Sequence, residues 1–209
     1  MDLFDFLKQL TNPESIIQYG GLALLLFVIF AETGLLIGFF LPGDSLVFIS
    51  GVFCISKPQL IGVDFPILLI SLVFAAIIGN IVGYWFGYKV GLPLFKKKDS
   101  LIFKKKYLEV TREFYNKNGG KTIIIGRFLP IIRTFAPILA GVLKIDFKKF
   151  MLYNVAGAVA WIGTLCSAGY YLGSYSGVQN NIEYIVIALI IITTIPIITT
   201  FLRERRNTR

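Results

Sequence analysis

The chain has 209 residues, 56% of them hydrophobic, with a mean hydropathy of +0.73 and a formal net charge of +9. This composition excludes an ordinary soluble domain and points to an all-α polytopic membrane protein. Histidine is absent, which removes the commonest metal ligand and general base, and with it zincin motifs and any phosphatase with a histidine nucleophile.

The acidic start (Asp2, Asp5, Glu14) before the first apolar run gives no sign of a cleaved signal peptide. Residues 1–18 are expected to form an interfacial helix: Phe4, Leu7 and Leu10 recur at helical spacing, and Asn12-Pro13 marks a break. Residues 20–56 are apolar apart from Glu32 and Asp44, too long for one span and too short for two with a loop. Gly34, Gly38, Pro42 and Gly43 break the middle of this segment. We expect a re-entrant hairpin that descends to Thr33 and returns from Asp44 to Ile55, covered by protein or by a water-filled cavity.

Residues 66–95 read as a transmembrane helix ending in Gly83-Tyr84-Trp85-Phe86-Gly87-Tyr88. Residues 96–121 form a basic connector with Lys96-Lys97-Lys98, Lys104-Lys105-Lys106, Arg112, Lys117 and Lys121. Residues 122–143 are a second broken apolar segment and a second expected hairpin. Residues 147–173 and 182–202 are two further spans, the last followed by Arg203-Glu204-Arg205-Arg206. Lysine and arginine mark cytoplasmic loops, so the connector and the C-terminus belong inside. The lysine runs need no specific ligand, and no nucleic-acid partner, beyond topology and anionic headgroups. Cys54 and Cys166 read as packing residues without a disulfide framework. Trp85 and Trp161 read as interfacial or packing aromatics.

The chain repeats itself. Gly38-Phe39-Phe40-Leu41-Pro42 matches Gly126-Arg127-Phe128-Leu129-Pro130 as G-x-F-L-P, 88 residues on. Gly83-Tyr84-Trp85-Phe86-Gly87 matches Gly169-Tyr170-Tyr171-Leu172-Gly173, 86 residues on, and Gly91 pairs with Gly177. Each unit is a hairpin followed by a span, and the basic loops orient the two spans oppositely. This is the pattern of an inverted-topology repeat, with two broken elements brought together near the midplane and an additional C-terminal span.

Four charges lie in apolar sequence: Glu32, Asp44, Arg127 and Arg133. Charges at membrane depth mark functional sites or ion pairs. Asp44 follows Pro42-Gly43 at the start of a helical run, where plain N-capping is the competing explanation. A carboxylate at membrane depth without a partner takes up a proton readily. Both acids are therefore candidates for proton coupling, Glu32 ahead of Asp44. Arg127 competes with a snorkelling role near Lys121, and Arg133 with a structural salt bridge to either acid. Gly126, Pro130 and Pro137 break the backbone around them, and a half-helix is expected to begin near Thr134, its N-terminal dipole adding to the guanidinium field. Arginine binds phosphate bidentately and keeps its charge, so the pair suits a phosphate better than a metal or a neutral solute.

Glu32, Phe40-Leu41-Pro42-Gly43-Asp44, Gly126-Arg127-Phe128-Leu129-Pro130-Ile131-Ile132-Arg133 and Ala140-Gly141 together resemble the DedA family of bacterial inner-membrane proteins, within the VTT (SNARE-associated) superfamily. The resemblance spans roughly residues 15–175. It implies two facing re-entrant hairpins and lipid transport, with undecaprenyl phosphate returned across the inner membrane or, as in eukaryotic relatives, phospholipid scrambled. It carries the family's paired acids to Glu32 and Asp44 and its paired arginines to Arg127 and Arg133. Asp44 stands where many members have glutamate. The expectation is a non-enzymatic flippase for undecaprenyl phosphate that uses protons and needs no metal or cofactor. A proton-coupled cation or drug antiporter, a scramblase and a non-transporting scaffold are the alternatives. The oligomeric state stays open, a homodimer included.

Overall fold

A computed structural model describes residues 13–35, 43–90 and 105–175, together with 177, 181, 184 and 185. The expected C-terminal span 182–202, the tip carrying Gly38 and Pro42, and the first part of the basic connector lie outside these residues, entirely or nearly so. The described residues form helices and turns. They comprise α1 (Pro13–Gly34), α2 (Gly43–Ser56), α3 (Pro58–Ile61), α4 (Phe65–Val90), α5 (Lys105–Asn118), α6 (Thr122–Ile125), α7 (Pro130–Val142) and α8 (Phe147–Leu172).

Among the described residues, two helices are long and apolar enough to cross a membrane without a kink. α4 and α8 have 26 residues each, about 39 Å at the helical rise against a hydrocarbon core of about 30 Å. The outward face of α4 is as apolar as its buried face: Ile67, Ile70, Phe74 and Ile78 are exposed, while Leu68, Leu72, Ala75 and Ala76 are buried. Both stripes follow helical spacing, so the face that would meet water in a soluble protein is built for hydrocarbon. α2 and α7, with 14 and 13 residues, reach only about 20 Å, too short to cross.

In its described part, the helix expected over 1–18 meets the apolar segment at a kink close to the expected boundary. The break falls at Gly21, whose φ of 53° and ψ of −147° only glycine adopts easily. The connector is helical over Lys105–Asn118, and two short 3₁₀ turns, Gly119–Lys121 and Gly126–Phe128, flank α6.

Packing is exchanged between the two halves. α2 lies against α8, and α7 lies against α4. Each crossing runs over glycine. A Cβ on Gly169 of α8 would strike the Phe48 carbonyl of α2, and one on Gly87 of α4 would strike the Ile138 carbonyl of α7. The two copies of the G-Y-aromatic-x-G motif therefore do the same work, letting a short helix approach a long one backbone to backbone. Leu25 and Ile29 of α1, Leu46, Ile49 and Phe53 of α2, Leu72 of α4 and Ile162 of α8 join in one core beneath this frame.

Candidate functional site: a four-charge centre

Three helix ends converge at the centre of the molecule. Glu32 lies in the last turn of α1, Asp44 in the first turn of α2, and Arg133 in the first turn of α7. Proline opens α7 because its missing N–H is not needed there and its φ is already helical. Leu129 just before it is extended (φ −117°, ψ 109°), which turns the chain from the Gly126–Phe128 turn into α7. The half-helix thus begins at Pro130 and not near Thr134, and it runs through Pro137 without ending. Pro137 has no N–H to give to the Arg133 carbonyl four residues earlier, so it loosens the ladder at the arginine instead of breaking the helix.

The polarity of these ends matters. Asp44 sits at a positive helix end, which suits it. Glu32 sits at a negative end and Arg133 at a positive one, so each opposes its own helix dipole. The ion pairs offset this. Arg133 Nη1 bonds Asp44 Oδ1 at 2.6 Å, and Nη2 pairs with Glu32 Oε1. One guanidinium thus joins both acids, the geometry in which arginine outperforms lysine. Gly43 permits it, since a Cβ there would overlap the Glu32 carboxylate. Gly43 thus stands at the edge of the expected break, as the first residue of α2, and also leaves room for the carboxylate.

Arg127 has different surroundings. It is 1% exposed, which rules out snorkelling. Its Nη2 donates to the Asn154 side-chain oxygen at 2.6 Å and to the Asn154 carbonyl at 3.3 Å. Asn80 stands beside them. In one amide orientation it donates to Asn154 Oδ1 at 2.9 Å. In the other it accepts from Arg127 Nη2 at 2.8 Å and donates to the Thr33 carbonyl at 3.1 Å. Among the described residues no carboxylate pairs with Arg127, and its Nε and Nη1 make no hydrogen bond.

Trp161 links the two arginines. Its Nε1 donates to Asp44 Oδ1 at 2.8 Å, and its ring lies 4.8 Å from Arg133 Cζ and 5.9 Å from Arg127 Cζ. It is 1% exposed and belongs to the buried core, so it is a packing residue and not an interfacial one, and its indole also borders the charged residues, which the sequence reading missed. Trp85 behaves as that reading has it, half-exposed and packed on Tyr84, Tyr88 and Phe147.

All four predicted charges are thus buried or half-buried in one centre, and three of them touch. Asn80, Asn154 and Trp161 were not foreseen. A usable signal existed: Asn154, Gly157, Ala158 and Trp161 recur at i, i+3, i+4 and i+7, placing them on one face of α8. That face carries an amide, two small residues and an indole where hydrocarbon would be ordinary. Gly157 leaves room for the Arg127 stem, since a Cβ there would stand 3.0 Å from Arg127 Cδ and Nε.

The sequence pattern of the VTT domain family matches residues 41–171, a stretch that holds Asp44, Arg127, Arg133 and Trp161. Protein DedA of Escherichia coli (strain K12) is 38% identical over 98% of this chain and 94% of its own length. The chain belongs to the DedA family. An uncharacterized membrane protein of Mycobacterium tuberculosis (strain H37Rv) is 38% identical over 88% of this chain and 80% of that protein. Inner membrane protein YqjA of Escherichia coli (strain K12) is 33% identical over 79% of this chain and 73% of the relative. No solved structure matches the chain. The membrane named in these bacterial DedA-family relatives agrees with the hydrocarbon-facing surface of α4, and the protein resides in a bacterial membrane.

Proposed function

We propose that this DedA-family protein is a lipid-phosphate transporter that returns undecaprenyl phosphate across the bacterial inner membrane, with Arg127 and Arg133 binding the phosphate. The observation that carries this reading is Arg127: a buried, permanent cation among neutral partners, with two N–H groups unused. A buried charge of this kind is costly unless it is paired, and phosphate supplies both the countercharge and the acceptors. Arg133 completes the pair once its hold on the carboxylates loosens. Glu32 is 1% exposed and its Oε2 has no hydrogen-bond partner, which leaves that oxygen free to take a proton. Protonation would weaken the Glu32–Arg133 pair and release the second guanidinium, coupling transport to protons.

The remaining architecture supports the same reading. The exchange of α2 and α7 between α8 and α4 is what an inverted-topology repeat of two re-entrant hairpins produces, and such folds alternate around a central site. Lys148 and Lys149 begin α8, in keeping with a cytoplasmic start and a cytoplasmic C-terminus. An apolar groove of about 470 Å³ runs between α1 and α4, lined by Phe27, Phe30, Ile70, Phe74 and Ile78 among others. The groove gives a hydrocarbon tail an apolar place along the outer face of α1 and α4.

The test is the inward movement of labelled undecaprenyl phosphate in proteoliposomes. Wild-type protein is expected to move it, undecaprenol without phosphate is expected to stay, and Arg127→Ala is expected to be inactive. Equal transport by Arg127→Ala and Arg133→Ala would refute the arginine site. Proton flux driven by a cation gradient in proteoliposomes without the lipid substrate would favour an antiporter.

A further inference from the structure

Asn80 and Asn154 come from the two membrane-crossing helices, α4 and α8, and meet at Arg127. They are buried, at 1% and 0% exposure. At these positions aspartate would have nearly the same shape as asparagine and would neutralise the arginine. Carboxylates do neutralise the neighbouring Arg133. The same site therefore treats its two arginines in opposite ways.

We infer that Asn80 and Asn154 are specificity-determining residues, whose uncharged carboxamides fix the Arg127 guanidinium while leaving its charge to a phosphate monoester. This deepens the transport reading above and rests on it for the lipid origin of the phosphate; the anion site itself stands on the burial and the neutral partners alone. Asn154 occupies one nitrogen of the guanidinium, Nη2. Nε and Nη1 make no hydrogen bond, so the guanidinium keeps donors on two of its three nitrogens for an anion. A carboxylate at either asparagine would hold the guanidinium as a permanent internal ion pair, and a phosphate would have to displace it. Asn154 is itself braced, donating from Nδ2 to the Ile77 carbonyl of α4 at 3.2 Å, so the amide cannot follow a departing guanidinium without breaking the α4–α8 contact. The arrangement is a neutral clamp on one nitrogen of a buried cation whose other two nitrogens have no partner.

The test uses the full chain in detergent and reads thermal stabilisation by inorganic phosphate and by undecaprenyl phosphate, with undecaprenol as the phosphate-free control. Wild-type protein is expected to be stabilised by both phosphates. Asn154→Asp is expected to be as stable as wild type without ligand, or more so, and to need about tenfold more phosphate or beyond for the same shift. Asn80→Asp is expected to behave likewise and decides the matter if Asn154→Asp does not fold. Asn154→Ala removes the amide without adding charge and is expected to keep most of the response. The inference is overturned if both aspartate variants respond as wild type, if Asn154→Ala loses as much as Asn154→Asp, or if no phosphate stabilises wild type. If inorganic phosphate binds as described but undecaprenyl phosphate is not moved in proteoliposomes, the transport reading fails and the anion site stands. If that lipid is moved equally well by the aspartate variants, the anion-site inference fails and the transport reading stands.

Discussion

Arg127 and Arg133 lie six residues apart on one segment, and both are buried beside the Trp161 ring. Their company differs completely. Arg133 is held by two carboxylates from α1 and α2; Arg127 is held by two amides from the long helices. The first arrangement is closed, with charge matched inside the protein. The second is open, with charge left over. Two arginines that look equivalent in sequence therefore sit in opposite surroundings: one joins α1 and α2 to α7 through ion pairs, and the other, on the proposed reading, is left to an anion.

That contrast can be broken most severely at Arg133. Arg133→Gln leaves Glu32 and Asp44 buried without a cation, and a loss of about 3–5 kcal/mol is expected, read as a lower melting temperature in detergent. Arg127→Met is the counterpart. It removes a buried charge that has no carboxylate partner, so stability should change by less than about 1 kcal/mol or rise, while lipid-phosphate transport is lost. If the two variants are equally destabilised, the contrast between the two arginines is wrong. Gly43→Ala probes the closed side from another direction. Its new methyl displaces the Glu32 carboxylate, with an expected cost of about 1–3 kcal/mol and a weakened Arg133 pair. Trp161→Phe should have the smallest effect on stability. It keeps the ring beside both cations but loses the 2.8 Å bond to Asp44, which is worth about 1 kcal/mol. A melting temperature unchanged by Trp161→Phe would mean that Asp44 depends on Arg133 alone.

Much of the closed side was legible in the sequence. A carboxylate or guanidinium at membrane depth announces itself by residue type, and the repeat indicated that the two broken segments face each other. The open side was not legible. Asparagine and tryptophan in apolar helices have many ordinary explanations, and only the fold brings residues 80, 127, 154 and 161 to one point. Local backbone was partly misread for a related reason. Pro130 and Pro137 both suggested breaks; the chain does break at the extended Leu129 before Pro130, whereas the internal Pro137 removes one hydrogen bond without ending a helix whose sides are packed. Gly43 was read as part of the break between two helical segments; the space it leaves for the Glu32 carboxylate is a contact between α1 and α2 that no local pattern encodes.

The central claim is that the carboxylate-free arginine receives the phosphate. The most direct measurement is a structure of the wild-type protein with undecaprenyl phosphate bound. The account predicts phosphate density within about 3 Å of Arg127 Nε or Nη1, with Asn154 still on Nη2. Phosphate density at the exposed lysines, with none at Arg127 Nε or Nη1, would contradict it.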